Sequence, residues 1–91
     1  MNKSDLKRLG LLWKLENTLH NDWVDAGYTE ELQSKIEVVH KIKKQLEEQK
    51  RGFLKSKIPY AHMADFIVDN INLSTLELKQ GLMDLFLKTR T

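Results

Sequence analysis

Apolar residues recur along this chain at helical rather than strand spacing, and the pattern divides into four amphipathic segments. The first covers about 4–24, with Ser4 as its candidate N-cap and Leu6, Leu9, Leu12, Trp13, Leu19 and Trp23 on a broad apolar face. Gly27 ends it. The second covers about 29–52, capped by Thr29, with Glu30 and Glu31 in its positive first turn. Leu32, Val39, Leu46 and Phe53 recur every seven residues there, and Ile36 and Ile42 widen the stripe. The third covers about 59–71, with Pro59 in its first turn and Tyr60, Met63, Phe66, Ile67 and Ile71 on one side. The fourth covers about 74–89 and has the clearest start: Ser74 followed by Glu77 is a capping box, and Leu73 with Leu78 has the spacing of a hydrophobic staple.

Four such helices with short connections predict an all-α, antiparallel up-and-down four-helix bundle with a long second helix, in a single domain over residues 1–91. From Thr29 to Arg51 that helix would rise about 34 Å. A compact chain of this length is only about 30 Å across, so its C-terminal end is expected to protrude. Lys43 and Lys50 stand where a continuous coiled coil would place apolar residues, which argues against a long self-zipper. Gly52 is a candidate break, and whether the helix continues past it stays open.

The last helix is apolar on two flanks. Leu78, Leu82 and Leu85 form one stripe; Leu76, Met83 and Leu87 form another about 140° away, with Lys79 and Phe86 between them. One stripe must face the bundle. The other is either wrapped by the same small bundle, with Lys79 snorkelling outward, or kept available for another protein. On the second reading Leu76, Lys79, Met83, Phe86 and Leu87 are the candidate partner-binding residues, and a homodimer through them is a further option.

Composition narrows the class without naming a chemistry. A chain of 91 residues buries a modest core, and 41% hydrophobic with 31% charged residues describes a folded protein. There is no cysteine, which suits a reducing compartment. The start "MNKSDLKRLG" lacks an apolar signal core and no run approaches a membrane span, so the expected location is the cytoplasm. The net charge of +2 is unevenly spread. Residues 1–34 carry four Lys/Arg against six Asp/Glu, residues 35–57 eight against three, and residues 58–91 three against four. The basic end of the second helix and its following loop, Lys50, Arg51, Lys55 and Lys57, is a candidate contact for an anionic membrane surface or an acidic partner. Glu37 with Lys41 and Glu47 with Arg51 are favourable helical pairs, so much of this face also reads as ordinary salt-bridged surface.

Few side chains are arranged for chemistry. His20, His40 and His62 fall on three different predicted helices; His62, Asp65 and Asp69 share a face, but a solvated polar face explains them better than a metal. No glycine-rich phosphate loop, activated nucleophile or carboxylate pair is visible, so the expectation is a non-enzyme with no cofactor and no metal. "FIVDNINLSTLELKQGL" can be drawn as helix-turn-helix, yet its second helix offers Glu77, Gln80 and Asp84, a poor set for a phosphate-lined groove, so nucleic acid is a weak expectation. Trp13 and Trp23, on the apolar face of the first helix, are read as core anchors.

From the second helix onward, "VVHKIKKQLEEQK", a short basic linker to "IPYAHMADFIVDN", and "INLSTLELKQGLMDLF" follow one another in an order that resembles the class IIa, or pediocin-like, bacteriocin immunity proteins. The resemblance covers roughly residues 32–87 and is one of pattern rather than signature. It implies a left-turning antiparallel four-helix bundle. It also implies a non-enzymatic protein that protects a bacteriocin producer at the cytoplasmic side of the mannose phosphotransferase permease, the bacteriocin receptor, with or without bound bacteriocin. The family's C-terminal half is associated with recognising the matching bacteriocin, which would place that surface on the third and fourth helices. Members often carry a tail beyond the fourth helix, and here the sequence ends at "LKTRT". Twelve lysines against three arginines would fit a low-GC bacterial genome. A phage- or plasmid-type regulator that occludes a host protein is the alternative reading.

Overall fold

Two glycines in the left-handed region end the first two helices. In the computed structural model, which describes residues 2–55 and 57–88, four α-helices and no strand are found among the described residues. They are α1 (Lys3–Asp25), α2 (Glu30–Lys50), α3 (Tyr60–Asp69) and α4 (Thr75–Lys88). Gly27 at φ +81° and Gly52 at φ +84° close α1 and α2 in the same way. After α1, the Gly27 amide donates to the Val24 carbonyl (3.2 Å) and the Tyr28 amide to that of Trp23 (2.8 Å). After α2, Gly52 donates to Gln49 (3.2 Å) and Phe53 to Glu48 (2.9 Å). Both are Schellman closures, which need a residue free to take positive φ. The ring of Tyr28 meets Trp23 edge-on at 4.7 Å, the apolar contact that often accompanies this motif. The second helix therefore stops at Lys50, and Phe53, expected to extend its heptad stripe, lies beyond the helix and is 79% exposed.

Helix starts differ from expectation in two places: α1 begins earlier than anticipated, and Pro59, expected within the first turn of the third helix, stands just outside it as the N-cap. The cap of α1 is Asn2, whose side-chain oxygen accepts from the Asp5 amide at 2.8 Å, two residues ahead of the anticipated Ser4. Thr29 holds the N-cap position of α2 without a side-chain hydrogen bond, and Pro59 holds that of α3. At α4 the Ser74 hydroxyl accepts from the Glu77 amide (3.2 Å) and donates to the Glu77 carboxylate (3.0 Å).

The core is assembled mainly by α1, α2 and α3. Leu12 and Leu19 from α1, Val39, Ile42 and Leu46 from α2, and Tyr60, Met63, Ala64 and Ile67 from α3 are buried together, joined by Leu82 of α4. The α4 helix packs on α2 and α3 but has no close backbone approach to α1 among the described residues. Its Leu78 and Leu82 are buried, each stabilising the fold by about 1.5–3 kcal/mol. Its first turn is pinned to α2: the Thr75 amide donates to the Glu31 carboxylate at 2.7 Å and the Thr75 hydroxyl to the Glu31 carbonyl at 3.2 Å. The backbone hydrogen bond from Thr75 holds the Glu31 carboxyl below its ordinary pKa. Against α3 the approach is so close that a Cβ on Gly81 would lie 2.1 Å from Cζ of Phe66.

Helix propensity alone favours alanine over glycine inside a helix by about 1 kcal/mol. The Phe66 ring reverses the sign. Gly81→Ala should lower stability by up to about 2 kcal/mol in urea unfolding, and Phe66→Leu in the same chain should recover part of that loss. A stabilised Gly81→Ala protein would contradict this packing.

Candidate functional site

The single-sided docking of α4 decides what its outer residues do. With Leu78 and Leu82 turned into the core, the flank carrying Leu76, Met83 and Leu87 is 50–68% exposed. Phe86 and Leu85 are half-buried at the border and Lys79 is exposed. Between α4 and α2 runs an open groove of about 560 Å³, walled by Val38 and Ile42 of α2, Met63 of α3, and Leu82, Met83 and Phe86 of α4. Glu37, Lys41 and Lys79 stand along it. Of the residues expected to bind a partner, Lys79, Met83 and Phe86 thus line one groove, while Leu76 and Leu87 continue the exposed apolar flank outside it. Tyr60, also in the groove wall, has its phenol pKa raised by burial and, secondarily, by the Glu48 charge.

The basic residues expected to meet an anionic surface divide into two kinds. Lys50 Nζ lies 3.7 Å from the buried Asp5 carboxylate, and Arg51 pairs with Glu47 one turn back at 3.3 Å. Lys55 and Lys57 are exposed on the connection to α3. Asp5 also receives Arg8 at 3.2 Å, and Arg8 reaches Asp65 of α3 at 3.0 Å, so one network joins three helices. The hydrogen bond to Asp65 is the main cause holding the Arg8 guanidinium above its ordinary pKa, against the effect of burial. Asp65, considered with His62 and Asp69 as a metal set, is engaged by this arginine. Among the described residues no group of three His, Cys, Asp or Glu side chains could hold a metal ion.

A second polar cluster explains Lys43. This lysine is buried, paired with Glu16 of α1, and its ammonium sits 4.9 Å from the ring centroid of Trp13. His40 Nδ1 lies 2.8 Å from the other Glu16 oxygen. Burial pushes the Glu16 carboxyl up, but hydrogen bonds from Lys43 and then His40 outweigh it and leave the pKa below the ordinary carboxylate value.

Trp13 is not the core anchor expected of it: it is 58% exposed, beside Leu6 at 56%. Leu12 and Leu19 define the buried axis of α1, and Leu6 and Trp13 lie about 100–140° around the helix from it. That angular offset is present in the sequence and was the available signal. Trp23 is half-buried, and its Nε1 is buried with no hydrogen-bond partner among the described residues. No described helix is long and apolar enough to cross a membrane. Comparison with protein-family models, with curated proteins and with solved structures gives no match.

A carboxyl group whose pKa is lower folded than unfolded stabilises the fold above its unfolded pKa, and that contribution disappears as pH falls through the folded value. Glu16 and Glu31 both behave so, from an ordinary value of 4.5. Stability measured by urea unfolding should therefore fall steadily as pH drops below 4.5. Glu16→Gln should cost about 1–3 kcal/mol at neutral pH and flatten that acid slope. An unchanged slope would show that the Lys43–Glu16 pair is not formed in solution.

Proposed function

We propose that this chain is a bacteriocin immunity protein that acts without catalysis, by binding through α4 at the cytoplasmic side of the bacteriocin receptor, the mannose phosphotransferase permease. Its likeness to the class IIa immunity proteins lies in the order of helices, caps and leucines over residues 32–87. The observation that carries the reading is the outer flank of α4. Three large apolar side chains, Leu76, Met83 and Leu87, are held in water by a helix whose opposite stripe is buried, next to a groove that offers further apolar wall and a lysine at its edge. A rigid apolar flank beside an open groove suits recognition of a protein or peptide helix.

The reading includes an antiparallel up-and-down order of helices in which α2, at 21 residues slightly shorter than the 23 of α1 and so not the outstandingly long helix expected, touches each of the other three. Cross-helix pairs support it: Asp5 with Lys50 and Glu16 with Lys43 match opposite ends of α1 and α2 in reverse order. Gln49 donates to the Ile58 carbonyl before α3, and Lys35 to the Ile71 carbonyl after it, which gives the same sense for α2 and α3. In this arrangement the C-terminal half presents the discriminating surface from the cytoplasm, close to the membrane that carries the receptor.

Expression in a strain sensitive to class IIa bacteriocins, challenged with a panel of these peptides, tests the proposal. Protection against at least one peptide is expected. Met83→Ser with Leu87→Ser should abolish that protection while leaving the thermal midpoint within a few degrees, since exposed side chains contribute little to stability. Protection against none of the panel would leave a helical regulator of some other host protein as the better reading.

A further inference from the structure

A second exposed apolar patch lies between the first half of α1 and the end of α2. Leu6 and Trp13 of α1 meet Phe53, just past α2, across a shallow trough of about 820 Å³ that also borders Lys50 and Arg51. Phe53, at 79%, is the most exposed large hydrophobic among the described residues, and Leu6 and Trp13 are more than half exposed. The patch is assembled from two separate parts of the sequence, so no single helix wheel displays it.

Charge is concentrated in the same two segments. Residues 1–14 and 41–57 together carry eleven Lys/Arg against three Asp/Glu, a net +8, while the rest of the chain carries four against ten, a net −6. The overall +2 thus conceals a strongly polarised molecule. Lys3, Lys7 and Lys14 are exposed along α1 on the side away from the core, Lys44 borders an adjoining depression with Trp13 and Phe53, and Lys55 and Lys57 are exposed two and four residues past Phe53.

We propose that this face of the protein docks on an anionic lipid bilayer, with Trp13 and Phe53 entering the interface and the surrounding lysines meeting the headgroups. Aromatic and leucine side chains ringed by lysine are the composition that seats a protein at the headgroup level. Each basic residue near an anionic leaflet raises affinity by about fivefold, and that gain disappears at high salt. A nucleic acid is the less suitable polyanion. Its recognition favours arginine forks, and both arginines here, Arg8 and Arg51, are already held by carboxylates. The trough also offers Leu6 and Leu9, aliphatic wall that no base would stack on. The inference stands apart from the immunity reading, which rests on α4.

The test is co-sedimentation of the full chain with vesicles of phosphatidylglycerol mixed with phosphatidylcholine, against phosphatidylcholine alone. Binding to the anionic vesicles only, weakened by salt, is expected. Brominated lipid should quench the wild-type protein's fluorescence more than that of Trp13→Phe, because Trp13 then sits in the interface. Trp13→Ser with Phe53→Ser should weaken binding at least about tenfold with an unchanged circular dichroism spectrum, and Lys55→Gln with Lys57→Gln should reduce its salt dependence. Absence of binding to anionic vesicles, binding that survives loss of both aromatics, or tighter binding to single-stranded RNA would each overturn the proposal.

Discussion

The seating of α4 on α2 and α3 is the contact on which the rest of the molecule depends. A helix of 14 residues has little stability of its own and is held by the surface it buries. Here that surface is one stripe, with Leu78 and Leu82 in the core, Gly81 admitting the Phe66 ring, and Thr75 fastened to Glu31 at the start. Because α1 makes no close approach to α4 among the described residues, nothing on that side covers the second stripe. The exposed flank is therefore a consequence of where the helix docks, not of a loosely packed end.

The remaining three helices are joined by charge as well as by apolar contact. Asp5 and Glu16, both on α1, each draw in more than one basic partner, and through them α1 is tied to α2 and, by way of Arg8, to α3. Removing one partner from such a cluster costs more than the cluster adds over a well-packed apolar replacement, because a buried charge is left uncompensated. The two clusters also consume part of the basic surplus. Much of what remains exposed lies on α1 and around the end of α2, apart in sequence from the apolar flank of α4 and beside the aromatic patch that Trp13 and Phe53 form.

Much of this was legible from local rules. The Ser74 cap on the Glu77 amide, the two glycine stops and the four-helix pattern depend on residues within a few positions of one another, and each is found where the pattern places it, although the Glu77 carboxylate accepts from the Ser74 hydroxyl rather than from its amide. What failed depended on tertiary context. Trp13 looked buried because large aromatics usually are, but the axis of α1 is set by Leu12 and Leu19, and Trp13 falls to one side, where it covers Lys43 instead. Phe53 matched the heptad spacing of α2, yet Gly52 ends the helix first and swings it outward. Lys43 looked like a polar interruption of the seam, whereas Glu16 on the facing helix gives it a buried partner that no reading of α2 alone could supply. For α4, the wheel showed two apolar stripes but not which neighbours were present to cover them.

Methionine oxidation measures that coverage directly, since a thioether reacts with peroxide only as far as solvent reaches it. Met83 is 56% exposed on the outer flank of α4 and Met63 is 6% exposed in the core. Limited peroxide treatment of the native protein, read by peptide mass spectrometry, should oxidise Met83 at close to the rate of an unstructured methionine while Met63 stays protected until the protein is unfolded. Equal protection of the two would mean that the second stripe of α4 is covered, and the account of an open flank would be wrong.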